Sequence, residues 1–300
     1  MKLAHLSDPH LLDLHGVPWF TLVRDKRATG FANLVVKRRR AHQTSIAQAL
    51  ARSIRRDNVD HVVITGDLTN LALEPELNRV ASWLRDDLAM PAHRVSVIPG
   101  NHDRYTDQAV SSGALERIFA AYMRDDQATD GMPPAFPFVQ CRGPLAIIGL
   151  DTAVPRPPFI AAGQVGRVQL ASLRVVFEDE DVQRRTPVLL LHHPPKWTRS
   201  WLRESMDGLR DAAALQAMLP CKPGLLLHGH RHRTMLDSLH VGHATWLVCG
   251  APSASSTDRR IEKLAAYNTY EFDEQGALQR ITSTSLDADG ESKVRVLSAW

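Results

Sequence analysis

The chain has 300 residues, 44% of them hydrophobic, and 36 Lys and Arg against 33 Asp and Glu give it a net charge of +3. This suits a sizeable buried core, in one large α/β domain or two small ones. No apolar run approaches the length of a membrane span, the opening MKLAHLSDPH lacks the charged and apolar regions of a secretion signal, and Cys141, Cys221 and Cys249 form no C-x-x-C pair; a cytoplasmic protein whose cysteines are reduced, small core residues is expected.

In chain order, KLAHLSD reads as a buried strand ending at Asp8. The segment from Leu14 to His42 then interrupts the path to the first helix. It sets Arg24, Lys26, Arg27, Lys37, Arg38, Arg39 and Arg40 against Asp25 alone, and mixes them with Trp19, Phe20, Phe31, Leu34 and Val35. Seven charges less one make this segment +6, and since the whole chain is +3 the remainder is −3. The basic character is one local patch, which argues against a protein that coats nucleic acid. The segment reads either as a lid that binds an anionic or amphipathic substrate, or as a helical insertion with its apolar residues on the body and its arginines solvated. Contact with acidic lipid head groups is a further alternative.

Ile46, Leu50 and Ile54 form the first helical stripe, HVVITGD the next strand, and Leu77, Val80, Ala81, Leu84 and Leu88 the second stripe. RVSVIPGNHD is a strand ending in a Gly-Asn turn, followed by helices around Leu115, Ile118, Phe119 and Tyr122 and, later, Leu170, Leu173 and Phe177. PLAIIGLD and PVLLLHH are short buried strands, residues 209 to 219 a helix and GLLLHGH a strand. From TWLVCG onward strand predominates, with a hairpin across Asp273 to Gly276. No repeat or long linker separates the halves, so residues 1–300 are expected to form one α/β domain. Its two packed sheets carry helices outside, and its strand-rich C-terminal part begins near residue 245.

The polar residues collect at strand ends: Asp8 and His10, Asp67, then Asn101, His102 and Asp103, then His192 and His193, and finally His228, His230 and His232. In open α/β sheets chemistry gathers beyond the carboxyl ends of strands. Carboxylate, imidazole and amide donors suit Mn, Fe or Zn, and about seven donors are too many for one ion. A carboxylate bridging two ions is the arrangement that serves in-line displacement at phosphorus, so a dinuclear hydrolase is expected.

The blocks Asp8-Pro9-His10, Gly66-Asp67, Gly100-Asn101-His102-Asp103, His192-His193-Pro194 and Gly229-His230-Arg231-His232 stand in the order D-x-H, G-D, G-N-H-D, H-x-P and G-H-x-H. In this the chain resembles the calcineurin-like metallophosphoesterases. The resemblance implies a four-layer α/β/β/α sandwich with Asp8, His10 and His232 on one metal, Asn101, His192 and His230 on the other, and Asp67 bridging. A metal-bridging water or hydroxide would be the nucleophile, acting on a small phosphoester. His102 would stabilise the transition state and protonate the leaving oxygen, with Asp103 orienting its ring. His228 falls outside the G-H-x-H register and is expected to pack or to support a ligand, while His193, out of register with H-x-P, would line the pocket. Arg231 and Arg233 are read as solvated and left out of the site.

A phosphodiesterase for cyclic nucleotides or glycerophosphodiesters is the leading expectation, with a monoesterase next. A lipid-pathway pyrophosphatase like the UDP-diacylglucosamine hydrolases would suit the insertion, but those carry Arg where this chain has His102. A repair nuclease would need a basic groove, and the chain outside the insertion is negative. A scaffold of this fold would show eroded ligand positions, and here each is filled.

Overall fold

The computed structural model describes residues 1–23, 25–33, 41–129, 131–195, 205–286 and 290–299. Of the insertion, Arg24, Leu34, Val35, Lys37, Arg38, Arg39 and Arg40 lie outside the described residues.

Two six-stranded mixed sheets form the centre. The first runs β12 (Ser292–Ala299), β11 (Leu278–Leu286), β10 (Ala266–Phe272), β1 (Lys2–Leu6), β2 (His61–Thr65), β3 (Val95–Ile98). Within it β1, β2 and β3 are parallel, while β10, β11 and β12 pair antiparallel. The second runs β4 (Phe138–Arg142), β5 (Leu145–Gly149), β6 (Thr186–Leu190), β7 (Gly224–His228), β9 (Ala244–Gly250), β8 (Met235–Val241). Its four inner strands are parallel and its two edges antiparallel.

Successive side chains of a strand face opposite ways, and this alternation sorts the second sheet's residues into two layers. Leu145, Ile147, Val188, Leu190, Leu225 and Leu227 join the core that holds Leu3, Ile64 and Ile98 of the first sheet. Their neighbours Ala146, Ile148, Leu189, Leu226, Trp246 and Val248 pack instead with Leu173 of the helix Arg167–Glu178 and Leu215 of the helix Ala212–Met218. On the first sheet's side, the helix Thr44–Arg56 buries Ala47, Leu50, Ala51 and Ile54, and the helix Glu74–Trp83 buries Leu77, Val80 and Trp83. Burying each Leu or Ile contributes about 1.5–3 kcal/mol, so these stripes hold the outer layers. The result is the expected α/β/β/α sandwich.

The expected helices and hairpin are present, with the second helix ending in a π turn, Leu84–Leu88, whose cap Ala89 is left-handed. Strands β4 and β8, not anticipated from the sequence, are the edges of the second sheet. The cysteine expectation holds only for Cys249, which is buried; Cys141 is half-buried and Cys221 exposed, its sulfur 3.3 Å from His243 Nδ1. Among the described residues no helix is long and apolar enough to cross a membrane.

The described part of the insertion contains the helices Trp19–Val23 and Arg27–Asn33. Leu22 is buried with Leu71, Leu73 and Tyr105, and Leu12, Leu14, Val17 and Phe31 pack around them, so the insertion has a small core of its own against the body. The solvated-arginine reading fails at Arg27, which is buried, donates from Nε to Leu71 O at 3.0 Å and pairs with Asp25 at 3.0 Å. Trp19 and Phe20, by contrast, are exposed.

Candidate metal centre

Every expected ligand sits just past the carboxyl end of a parallel strand, where the two sheets meet. To turn at once after a buried strand, the chain takes unusual backbone angles: φ is 53° at Asp8, 45° at His10, 52° at Asp67, 66° at His230 and 48° at His232. Each such non-glycine residue costs roughly 1–3 kcal/mol and persists only where the surroundings demand it. Here they do. Asp8 N donates to Gly66 O, His10 N to Asp67 O and Leu11 N to Leu68 O, at 2.9, 3.1 and 2.9 Å, zipping the first two loops together. Gly66 and Gly100 pass so closely that a Cβ on either would strike the other loop's backbone, and one on Gly229 would strike Ser7 and Asp8.

The first donor set is Asp8, His10, Asp67 and His232. Asp8 Oδ1 lies 3.1 Å from His232 Nε2 and 3.9 Å from His10 Nε2, and His10 Nε2 lies 3.2 Å from His232 Nε2 and 3.8 Å from Asp67 Oδ2. His10 Nδ1 donates to Thr69 O at 3.1 Å, which turns Nε2 to the centre. Asp8 Oδ1 is buried with no hydrogen-bond donor on it. Lone pairs from four side chains thus face one point, a positively charged ion's place rather than a water's.

The second set is Asn101, His192 and His230. His192 Nε2 is 3.1 Å from Asn101 Oδ1 and 3.4 Å from Asp67 Oδ1, while its Nδ1 donates to Thr65 O at 2.7 Å. Asp67 therefore presents Oδ2 to one set and Oδ1 to the other. His230 stands with its ring centroid 5.1 Å from that of His192 and its Nε2 2.5 Å from Asp207 Oδ1, leaving Nδ1 as the nitrogen for a metal. The residues present fit two cations.

The charges agree. Burial opposes ionisation of Asp8 and Asp67, yet the surrounding imidazoles, His232 for Asp8 and His192, His102 and His10 for Asp67, hold both below the usual carboxylate range. Burial lowers His192, but Asp67 and Asp8 outweigh it and raise the ring to about 9.

His102 Nδ1 donates to Asn70 O at 2.7 Å and its ring stacks on Tyr105, centroids 5.3 Å apart. Asp103, expected to orient that ring, commits both oxygens to the loops: Oδ2 accepts from Gly100 N and Leu68 N, and Oδ1 from Thr69 N and Thr69 Oγ1, at 2.8 to 3.1 Å. Burial and the nearby Asp67 push Asp103 up to about 6, against these donors. His193 is wholly buried, its Nδ1 2.8 Å from Thr152 Oγ1 and its Nε2 2.9 Å from Ala161 O. It supports the loop behind His230 instead of lining an open pocket. His228 packs as expected, fully buried, with burial pushing it down to about 4.

Sequence reasoning missed three residues. Asp207 braces His230 and also pairs with Arg231, which is largely buried and so not the solvated arginine expected. Glu76 accepts from the backbone amides of Asn70, Leu71 and Leu73 at 2.9 to 3.2 Å and so holds the loop that carries the His102 acceptor. His42 places its ring centroid 4.6 Å from that of His10 and 5.5 Å from that of His232. None belongs to a spaced motif; Asp207 acts from a helical turn and His42 from an isolated β-bridge, both distant in sequence from the blocks.

A cavity of about 410 Å³ opens beside Asn101 and His102, lined further by Lys26, Gly30, Tyr105 and Phe159. The Lys26 ammonium lies 4.4 Å from the Tyr105 ring centroid, so an insertion residue does reach the site. A larger cavity, about 1080 Å³, lies at the opposite ends of β6 and β7, by Thr186 and Gly224, and holds none of the metal donors.

Comparison with solved structures returns the same fold at low identity. A dimetal phosphatase from Danio rerio superposes with TM-score 0.60 at 14% identity, covering 99% of each chain. A purple acid phosphatase from yellow lupin gives 0.58 at 10% identity, covering 98% of this chain and 53% of that one. PhoD gives 0.55 at 13% identity, covering 100% and 72%. No curated protein sequence matches. The family model for calcineurin-like phosphoesterases matches residues 1–234, and with it the chain belongs to that family of metal-dependent phosphoester hydrolases.

Proposed function

We propose that the protein hydrolyses small phosphodiesters, using two ions of the Mn, Fe or Zn class held by Asp8, His10, Asp67 and His232 on one side and Asn101, His192, His230 and Asp67 on the other. The observation that carries the reading is the Asp67 carboxylate, with one oxygen turned to each donor set. Bound ions would polarise the phosphoryl oxygens and activate water for in-line attack. The chain's own groups do the rest. Because Asn70 O can only accept, His102 keeps one proton on Nδ1 there, and as the imidazolium it carries its second proton on Nε2, which it passes to the leaving oxygen as the ring becomes neutral. Asp103 and Glu76 keep the His102 loop in place.

The charge balance favours a diester over a monoester. Arg231 is paired with Asp207, and Arg104 with Glu116 and Asp151, at 2.5 and 2.8 Å for the latter two. Among the described residues that line the cavity Lys26 is the one Lys or Arg, and apart from His102 the rest of the wall is uncharged, which suits an organic ester substituent better than the second negative charge of a monoester. The test is hydrolysis of bis-(p-nitrophenyl) phosphate against p-nitrophenyl phosphate by Mn-loaded protein, with Asn101→Ala as the contamination control. A clear diester preference is expected; a monoester preference would overturn the substrate class.

A further inference from the structure

Resting on the diester reading above, we infer that Phe159 determines which diesters the protein takes. Its ring packs on the leaving substituent, and it favours a planar aromatic or heteroaromatic group over a saturated one.

Phe159 stands where its own backbone opposes it. Ile160 N donates to Pro157 O at 3.2 Å, which closes a four-residue turn over Pro157, Pro158, Phe159 and Ile160. The proline ring fixes a negative φ at the second position, while Phe159, at the third, has a φ of 68°. This is the pattern of a type II turn, whose third position ordinarily takes glycine or asparagine, and a bulky side chain there is strained. Burial does not offset the strain. With 84% of its surface exposed, Phe159 is the most exposed large apolar side chain among the described residues. What the ring contributes is left for a molecule outside the chain.

The turn is held from the loops of the metal centre. Ala161 N donates to Met206 O at 2.8 Å, next to Asp207, and Ala161 O accepts from His193 Nε2 at 2.9 Å, next to the ligand His192. Gly163 lies so close to the His193 ring that a Cβ would strike it, and Arg156 Nε donates to Ala162 O at 3.1 Å. The ring is thereby positioned beside the cavity of about 410 Å³ that it lines with Asn101, His102 and Tyr105. Since His102 protonates the leaving oxygen, the substituent on that oxygen enters this cavity. Its wall holds a second flat surface, the His102 and Tyr105 rings, which stack at 15° with centroids 5.3 Å apart. Aromatic rings attract one another beyond the area they bury, whereas a saturated group gains the area alone. The volume is near the low end for ligand pockets, which fits one ring system better than a long chain.

The test uses the full Mn-loaded chain, comparing the parent with Phe159→Leu, which keeps apolar bulk without a ring, and Phe159→Tyr, which keeps the ring. Diphenyl phosphate and dicyclohexyl phosphate, equal in charge and carbon number, compete against hydrolysis of bis-(p-nitrophenyl) phosphate. Phe159→Leu is expected to shift the ratio of the two inhibition constants by about 2–10-fold toward the saturated ester, and to raise KM for the chromogenic diester by a similar factor. Phe159→Tyr is expected to keep the parent's ratio. A ratio constant across all three proteins, or one that moves equally in the tyrosine variant, overturns the inference while leaving the diester reading standing. If the parent is inactive on bis-(p-nitrophenyl) phosphate, or prefers p-nitrophenyl phosphate, the diester reading itself fails and the inference falls with it. Thermal unfolding of the three proteins should coincide, because the ring is exposed. A clear drop in both variants would mean that Phe159 packs in the fold, which also overturns the inference.

Discussion

Positive φ angles gather at the site: Asp8, His10, Asp67, His230 and His232 are five of the nine non-glycine residues that adopt one among the described residues. These residues were legible because their spacing is dictated by strand ends meeting one object. Asp207 and His42 were not, because a residue that arrives by tertiary packing from outside the strand ends leaves no spacing to read. Removing the amide of Asn101 should cost one metal and most turnover, whereas His228→Ala, altering a buried ring beside the strand end, should leave metal content nearly intact; metal analysis of the two purified variants compares them, and the reverse pattern would shift the histidine register. For His102→Ala both metals should stay while turnover falls by on the order of 10²–10⁴. The loss should be largest for poor leaving groups, and equal rates on such a substrate would remove His102 as proton donor. Asp207→Asn, which takes the negative charge from behind His230, should weaken one metal by about 10–100-fold, read by chelator competition.

At the scale of elements, inner strands were easy to read and edge strands were not. PLAIIGLD, PVLLLHH and GLLLHGH are apolar throughout because both faces are covered. Strand β8, MLDSLHV, is half exposed along its length, and β4 ends in Cys141 and Arg142, so neither carries the same signal. The insertion was half readable. Its charge was plain, but composition could not say that Leu22 and Phe31 would pack beside Tyr105 while Trp19 and Phe20 stayed exposed. Glu76 belongs at this scale, since one carboxylate satisfies three amides of the loop between β2 and its helix. Glu76→Ala leaves those donors buried, and should lower stability by roughly 1–3 kcal/mol or more in urea unfolding. A change under about 0.5 kcal/mol would mean that the loop holds itself.

For the whole molecule, burying neutral histidines ties folding to pH. His61 on β2 is buried, with Nε2 2.7 Å from Ser96 Oγ, and burial together with the nearby Arg142 and Arg94 lowers it to about 3. Its folded pKa is below the ordinary 6.5, so the unfolded chain takes up the proton first. This contribution is intact above 6.5 and is lost as pH falls toward 3. Replacing the ring with the non-titrating His61→Gln should shift the stability difference in the variant's favour by up to about 1.4 kcal/mol per pH unit below 6.5. Parallel urea titrations at pH 7 and pH 5 check it, and a difference independent of pH would show that the ring titrates freely in the fold.

The claim that joins all three scales is that Asp67, at the meeting of the two sheets, shares its carboxylate between two cations. Its most direct test is elemental analysis of the Mn-loaded, desalted protein beside Asp67→Ala. Two ions per chain in the parent and a loss at both positions in the variant is the predicted result. One ion or none in the parent, or two retained without Asp67, would contradict it.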